Sequence, residues 1–170
     1  MTRSLLALLA ASIAALTSPS LAAEFKSGDI SIENPWTRAT PKGAEVGAGY
    51  FTIHNNGSTP ERLIGASADF AAVEIHEMKT ENGVMTMRAM ENGLDIPPHG
   101  TVRLAPGGRH LMFTHLTRPL TKGETVKATL TFEHAPPLPV EFTVEGMGAS
   151  GPASAKGGMT GGNNMGGMKM

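Results

Sequence analysis

Histidine and methionine recur at short intervals in the middle of this chain, which contains no cysteine. Ten residues separate His76 from Met87, and His110 and Met112 lie two positions apart further along. Imidazole nitrogen and thioether sulfur together suit Cu(I), whereas magnesium or calcium would need oxygen ligands. These residue types therefore predict a copper site, and they favour metal handling over catalysis.

The N-terminus predicts the compartment in which such a site would work. Residues 1–22 combine Arg3 with an uncharged apolar run over residues 5–16 and end in small residues before Ala23. About twelve apolar residues cannot span the ~30 Å hydrocarbon core, so a cleaved signal peptide is expected rather than a membrane anchor. We expect a periplasmic protein without membrane insertion. In an oxidising compartment methionine, unlike cysteine, cannot be lost to a disulfide.

Composition separates one domain from a tail of a different kind. Residues 23–145 are long enough for one domain with its own core. The formal net charge of the whole chain is −1, which gives no electrostatic reason to expect nucleic acid or an anionic membrane as a partner. Residues 146–170 are rich in Gly and Met, and this composition predicts disorder. Its thioethers, including Met165, Met168 and Met170, could hold Cu(I) weakly, or the tail could simply be solvated.

The elements that must position the candidate ligands are short and alternating. Turn residues separate β-branched segments throughout residues 29–145, and no run has a helical period. This pattern is typical of an all-β sandwich or barrel with eight or nine strands. The segments that read as strands are residues 50–54, 62–64, 72–78, 84–90, 101–104, 110–116, 125–132 and 140–144.

A hairpin centred on Asn82-Gly83 sets the geometry of the first pair. Both residues tolerate the positive φ of a type I′ turn, and a two-residue loop there would pair Met78 with Met87. His76 would then lie diagonal to Met87 on the same face, which Met85 would share. A slip of one residue would move Met87 to the opposite face, so the register is a prediction.

His110 and Met112 are two positions apart in a strand-like run and should also share a face. A sandwich that brought this pair against the first would create one mixed site. Single methionines in strands more often fill gaps in a core, which is the alternative for Met78, Met85 and Met90. The remaining histidines are expected on the surface or in ordinary hydrogen bonds: His54, His99, His115 and His134.

Three segments carry a resemblance to a known family. They are residues 34–39 (NPWTRA), the His76…Met87 pair and residues 104–112 (LAPGGRHLM). Together they resemble the PCuAC family of periplasmic copper chaperones over about residues 29–145. The resemblance implies a cupredoxin-like, Greek-key β-sandwich that binds Cu(I) through His76, Met87, His110 and Met112. It also implies copper supply to the CuA site of a haem-copper (cytochrome c) oxidase, with a Sco-type protein or oxidase subunit II as partner.

The chain departs from the family pattern by one residue. Twenty-two residues separate Met87 from His110, one more than the family has. Asn92 resembles an insertion in a turn, where a change of length costs little. The extra residue leaves open whether Met87 or a neighbour, Met85 or Met90, is the ligand.

Other functions remain as alternatives. Copper storage or tolerance would use the methionine-rich tail, and a metal-free sandwich could serve in adhesion or assembly. Blue-copper electron transfer needs a cysteine thiolate, which this chain lacks. The chain contains no nucleophile elbow, zincin motif or phosphate loop, so an enzyme is not expected.

Overall fold

A computed structural model describes residues 24–153, and every regular element within that range is a β-strand. The predicted signal peptide and Met165, Met168 and Met170 lie outside the described residues. No helix in this range is long and apolar enough to cross a membrane. The eleven strands are β1 (Glu24–Ser27), β2 (Ile30–Arg38), β3 (Val46–Asn55), β4 (Glu61–Ala68), β5 (Ala72–Glu81), β6 (Val84–Ala89), β7 (Leu94–Ile96), β8 (Thr101–Leu104), β9 (Arg109–Thr114), β10 (Thr125–Phe132) and β11 (Leu138–Glu145).

Hydrogen bonds join the strands in the order β6-β5-β9-β3-β2-β11-β10-β4-β7, while β1 pairs with β2 and β8 with β3. The β2–β11 pair is parallel, whereas β5–β9 and β2–β3 are antiparallel. Strand β5, next to one end of this order, and β7, at the other end, both contribute residues to one buried apolar cluster. The sheet must therefore fold over on itself, and the expectation of an all-β sandwich is confirmed.

Three phenylalanine rings stand at the centre of that cluster. Phe113 packs edge-on against Phe142 with ring centroids 6.0 Å apart, and Phe142 packs in the same way against Phe51 at 5.8 Å. Gly49 on β3 makes this possible, because a Cβ there would lie 2.8 Å from Cζ of Phe113. Because Gly49 has no side chain, the Phe113 ring of β9 can pack into the core beneath β3.

Strand β2 changes face part-way along. Ile32 belongs to the apolar cluster, but the β2–β3 register shifts between Glu33 and Trp36, and Asn34 between them has φ of 51°. Such a bulge reverses which face the following residues occupy. Trp36 therefore lies on the face opposite the core, where it pairs with Tyr50. The sequence prediction did not include β2, β1 or β7, and proline at position 35 disfavours an uninterrupted strand there.

The predicted β5–β6 hairpin is present in the predicted register. Asn82 and Gly83 have φ of 52° and 78°, as a type I′ turn requires. Met78 pairs with Met87 and His76 with Ala89. His76 and Met87 are thus diagonal neighbours on one face, and the one-residue slip has not occurred.

Candidate metal centre

Strand β5 lies between β6 and β9, and this position gathers the candidate ligands. His76 on β5 pairs directly with His110 on β9. On the other side, Met87 of β6 lies diagonal to His76. Met112, two residues beyond His110, pairs with Glu74. All four predicted ligands lie on one face of three neighbouring strands, so they meet by direct strand pairing rather than across the two layers of the sandwich.

The two imidazole rings are close enough to share one ion. The ring centroids of His76 and His110 are 5.9 Å apart, and the ring planes are inclined by 56°. A metal–imidazole bond is about 2.0–2.1 Å long, so two rings on one ion have centroids roughly 5–6.5 Å apart. The observed separation therefore fits a single metal bound between them.

His110 presents one ring nitrogen to that space in the neutral form. The ring is 5% exposed, and its Nδ1 lies 3.1 Å from the carbonyl oxygen of Gly108. A carbonyl can only accept, so Nδ1–H donates and Nε2 keeps its lone pair. Burial lowers the pKa of His110 against the opposing effect of the Gly108 hydrogen bond, and repulsion from His76 lowers it further. The ring is therefore neutral near pH 7, which is the form that binds metals.

His76 is oriented in the complementary way by a carboxylate. Its Nε2 lies 2.7 Å from Oε2 of Glu74, so the proton is held on Nε2. Its Nδ1 is buried and has no hydrogen-bond partner in the structure. An unpaired buried nitrogen with a free lone pair is costly unless something binds it. The Nδ1 atom of His76 therefore fits a metal ligand, and Glu74 plays the orienting part that carboxylates play behind many metal-bound histidines.

The methionines differ in depth. Met112 is half-buried beside the histidines, whereas Met87 is 49% exposed and Met85 60% exposed. Met85 shares the face of His76 but pairs with Thr80, further towards the turn. Met90 packs against the hydrophobic core instead. Met90 follows Ala89, the partner of His76, and therefore points to the opposite face. Of the two methionines of β6 on the His76 face, Met87 lies nearer His76 than Met85 does. The core position of Met90 agrees with the gap-filling alternative, and the exposure of Met85 does not.

Thioethers are needed to complete any site on this face. Within residues 24–153, no group of three or more histidine, cysteine, aspartate or glutamate side chains could hold a metal ion. Two imidazoles plus flanking methionines are what the sheet brings together here. Neutral nitrogen and sulfur donors of this kind suit Cu(I) better than hard cations.

Sequence reasoning missed the aromatic row that continues from the histidines. Tyr50 lies 6.5 Å from the His110 ring and 4.7 Å from Trp36, centroid to centroid. The Arg38 guanidinium lies over Tyr50 at 5.9 Å. Trp36 and Tyr50 are 4% and 6% exposed, yet they lie outside the main apolar cluster. These aromatic side chains form one side of the site. The sequence did not predict this row, because it depends on the bulge in β2. The role of Glu74 could have been predicted, because Glu74 lies two residues before His76 and residues two apart in a strand share a face.

The turn that contains Asn92, the residue that resembles an insertion, leaves the strand pairing intact. Asn92 lies in the turn after β6, where the N–H of Gly93 donates to the Met90 carbonyl at 2.9 Å. Residues 76–81 pair with 84–89 without a register shift. The other histidines are elsewhere: His54 and His134 are hydrogen-bonded, and His99 and His115 are exposed.

The fold is that of a cupredoxin-like PCuAC domain. The chain is similar to a copper-bound PCuAC domain from PmoF2, with 31% identity and a TM-score of 0.62, over 73% of this chain and 98% of that one. It is also similar to apo-DR1885 from Deinococcus radiodurans, with 28% identity and a TM-score of 0.55, over 86% of this chain and 97% of that one. The Cu(I) form of DR1885 matches at 30% identity and a TM-score of 0.54, over 77% and 85%.

The family model described as "Putative lipoprotein LpqE-like" matches residues 30–144. The "Putative lipoprotein Lxx21020" of Leifsonia xyli subsp. xyli is 32% identical over 117 residues, which is 68% of this chain and 69% of that protein. The chain belongs to this LpqE-like family, and with the structural matches the resemblance to the PCuAC family is confirmed.

Proposed function

We propose that this protein is a periplasmic Cu(I) chaperone that binds copper through His76, Met87, His110 and Met112. The observation that carries the proposal is the paired arrangement of His76 and His110, with rings 5.9 Å apart and the buried Nδ1 of His76 unpartnered. The copper-bound PCuAC domain from PmoF2 and the Cu(I) form of DR1885 support it.

The donor set accounts for both the metal and its oxidation state. Nδ1 of His76, Nε2 of His110 and two thioethers are all neutral, and thioethers favour Cu(I). The site holds copper and carries out no redox step, so the protein acts as a binding and transfer protein rather than an enzyme.

A gradient of exposure across the site suits transfer. His110 is 5% exposed, whereas Met87 is 49% exposed at the opposite side. A recipient could replace the Met87 thioether first while the histidines still hold the ion. Stepwise replacement of this kind avoids a free Cu(I) intermediate.

The proposed recipient is the CuA site of a haem-copper oxidase, reached through a Sco-type protein or directly on oxidase subunit II. Export through a cleaved signal peptide over residues 1–22 is part of the proposal, and the lipoprotein descriptions of the matching family and relative support an exported protein. Storage is the second candidate, because five of the eleven methionines lie at or after position 147.

The test is Cu(I) titration of the mature chain against a chromophoric competitor. The His76→Ala/His110→Ala variant should lose the tight site. A matched control replaces His99 and His115 with asparagine, because both are exposed with positive φ (50° and 54°) and asparagine tolerates that conformation. The control should bind as tightly as the wild type. Equal binding by both double variants would refute the site.

Delivery and storage differ in what happens to the bound ion. A chaperone should transfer one equivalent to an apo CuA domain, with or without a Sco-type protein, faster than copper dissociates into buffer. A storage protein should bind several ions and transfer none by contact. Transfer that proceeds only at the rate of free dissociation would exclude the delivery function.

A further inference from the structure

We propose a second Cu(I) site on the β5–β6 hairpin, formed by the thioethers of Met78, Met85 and Met87, through which copper enters and leaves the histidine site. This outer thioether site rests on the proposed function, since it shares Met87 with the histidine site. Its own existence is testable without that site.

The strand register brings the three methionines together. Met78 pairs directly with Met87, and Met85 pairs with Thr80 on the same face. Directly opposed residues have Cβ atoms about 4.5–5.5 Å apart, and diagonal neighbours are about 7–8 Å apart. Each methionine adds two flexible bonds between Cβ and sulfur, so all three sulfurs can converge on one ion.

The exposure of this hairpin is unusual for apolar side chains. All six residues of β6 are exposed, including Met85 at 60% and Met87 at 49%. Strand β6 ends the sheet, and edge strands are ordinarily protected by charged side chains. On this face β6 instead presents two thioethers to solvent, which a role in packing does not explain.

The charged residues adjacent in sequence to Met78 and Met87 lie on the other face of the hairpin. Glu77 there accepts from Arg88 at 3.2 Å and from Arg109 at 3.2 Å, and Lys79 lies 3.4 Å from it. The alternation of strand residues keeps these groups away from Met78, Met85 and Met87. The Glu74 carboxylate shares this face, but it lies beyond His76 from Met78 and is hydrogen-bonded to His76 Nε2 at 2.7 Å. Around Met78, Met85 and Met87 the face therefore offers a cation soft, neutral donors.

The chemistry of the two sites sets the direction of movement. Three thioethers bind Cu(I) or Ag(I) but lack the imidazoles of the inner site. Copper would be captured by the exposed sulfurs and would keep its bond to Met87 while His76 replaces Met78 and Met85. No electron is exchanged in this step, because one set of neutral ligands replaces another.

The existence of the outer site is tested by titrating the mature chain with Ag(I), which has the same d10 configuration and no redox chemistry under these conditions. The methionine methyl resonances are followed in the His76→Ala/His110→Ala variant and, in parallel, in His76→Ala, which keeps the buried His110 ring. Met78, Met85 and Met87 should shift together with one equivalent bound. No shift of these three methyl groups in either variant would overturn the proposal.

The kinetic role is tested in the chain with both histidines. Met78→Leu/Met85→Leu should slow Cu(I) release to a competitor several-fold while its equilibrium affinity stays within about twofold of wild type. Met147→Leu is the matched control, because Met147 is 63% exposed on the segment after β11; it should release copper at the wild-type rate. Unchanged release by the double variant would refute the entry role. The affinity of the histidine variants for Cu(I) tests the inner site alone, so failure of the inner site and failure of the outer thioether site can be distinguished.

Discussion

Removal of the Glu74 carboxylate should weaken Cu(I) binding without removing a ligand. Glu74 accepts a hydrogen bond from the Nε2–H of His76 at 2.7 Å. It thereby keeps the lone pair on the buried, unpartnered Nδ1. Without it, the His76 ring can take the other tautomer or turn over. Copper binding would then have to restore the binding form at a free-energy cost.

The size of that cost follows from the exposure of the carboxylate. Loss of a partner behind a metal-bound histidine costs roughly 10–100-fold in affinity. The Glu74 side chain is 57% exposed, and water can therefore replace part of its hydrogen bond. We expect the lower end of the range for Glu74→Ala, about tenfold or about 1.4 kcal/mol. Glu74→Gln keeps an acceptor oxygen and should lose less.

The assay is competition for Cu(I), combined with 15N NMR of the imidazole nitrogens to read the tautomer of His76. Glu141→Gln is the matched control, because its side chain is 50% exposed and paired with Lys127 on a distant part of the sheet. It should bind copper as the wild type does. Tighter binding by Glu74→Ala would show that Nε2 of His76 is the ligand and that the carboxylate competes with copper. Unchanged affinity would refute the orienting role.

Three further predictions concern the site, the core beneath it and the effect of acid. Met112→Leu should cost less than about 1.5 kcal/mol of stability, because volume is conserved, yet weaken Cu(I) binding roughly tenfold or more; unchanged binding in the competition assay would exclude Met112 as a ligand. Gly49→Ala should cost about 1–3 kcal/mol in urea unfolding, since its Cβ would lie 2.8 Å from Phe113; wild-type stability would show that the ring has room to move. Burial alone would raise the pKa of Glu61, but hydrogen bonds from three backbone N–H groups hold that pKa below its ordinary value. Its contribution to stability is therefore present above about pH 4.3, the unfolded-state pKa, and is lost as the pH falls through the lower folded-state pKa. The difference in unfolding free energy between wild type and Glu61→Gln at pH 7 should therefore disappear in acid. A difference that stays constant with pH would contradict this account.

Local chemistry made part of this protein predictable from sequence. Positive φ at Asn82 and Gly83 is a property of those two residues, and it sets the β5–β6 register and the diagonal placement of His76 and Met87. The strand class followed from alternation between turns in the same way. The prediction of a turn at Asn92 also depended only on its immediate neighbours.

The pairing of strands that are distant in sequence could not be predicted from local residue preferences. His76 and His110 are brought opposite each other because β5 pairs with β9, a choice that depends on which remote strands bury Ile75 and Leu111 in the common core. The bulge that turns Trp36 towards Tyr50 likewise exists only in relation to β3. The donor types and the hairpin geometry follow from the amino-acid sequence alone. Which strand pairs with that hairpin is fixed only when the whole chain folds, because hydrogen bonding between distant strands is selected by shared burial rather than by local conformation.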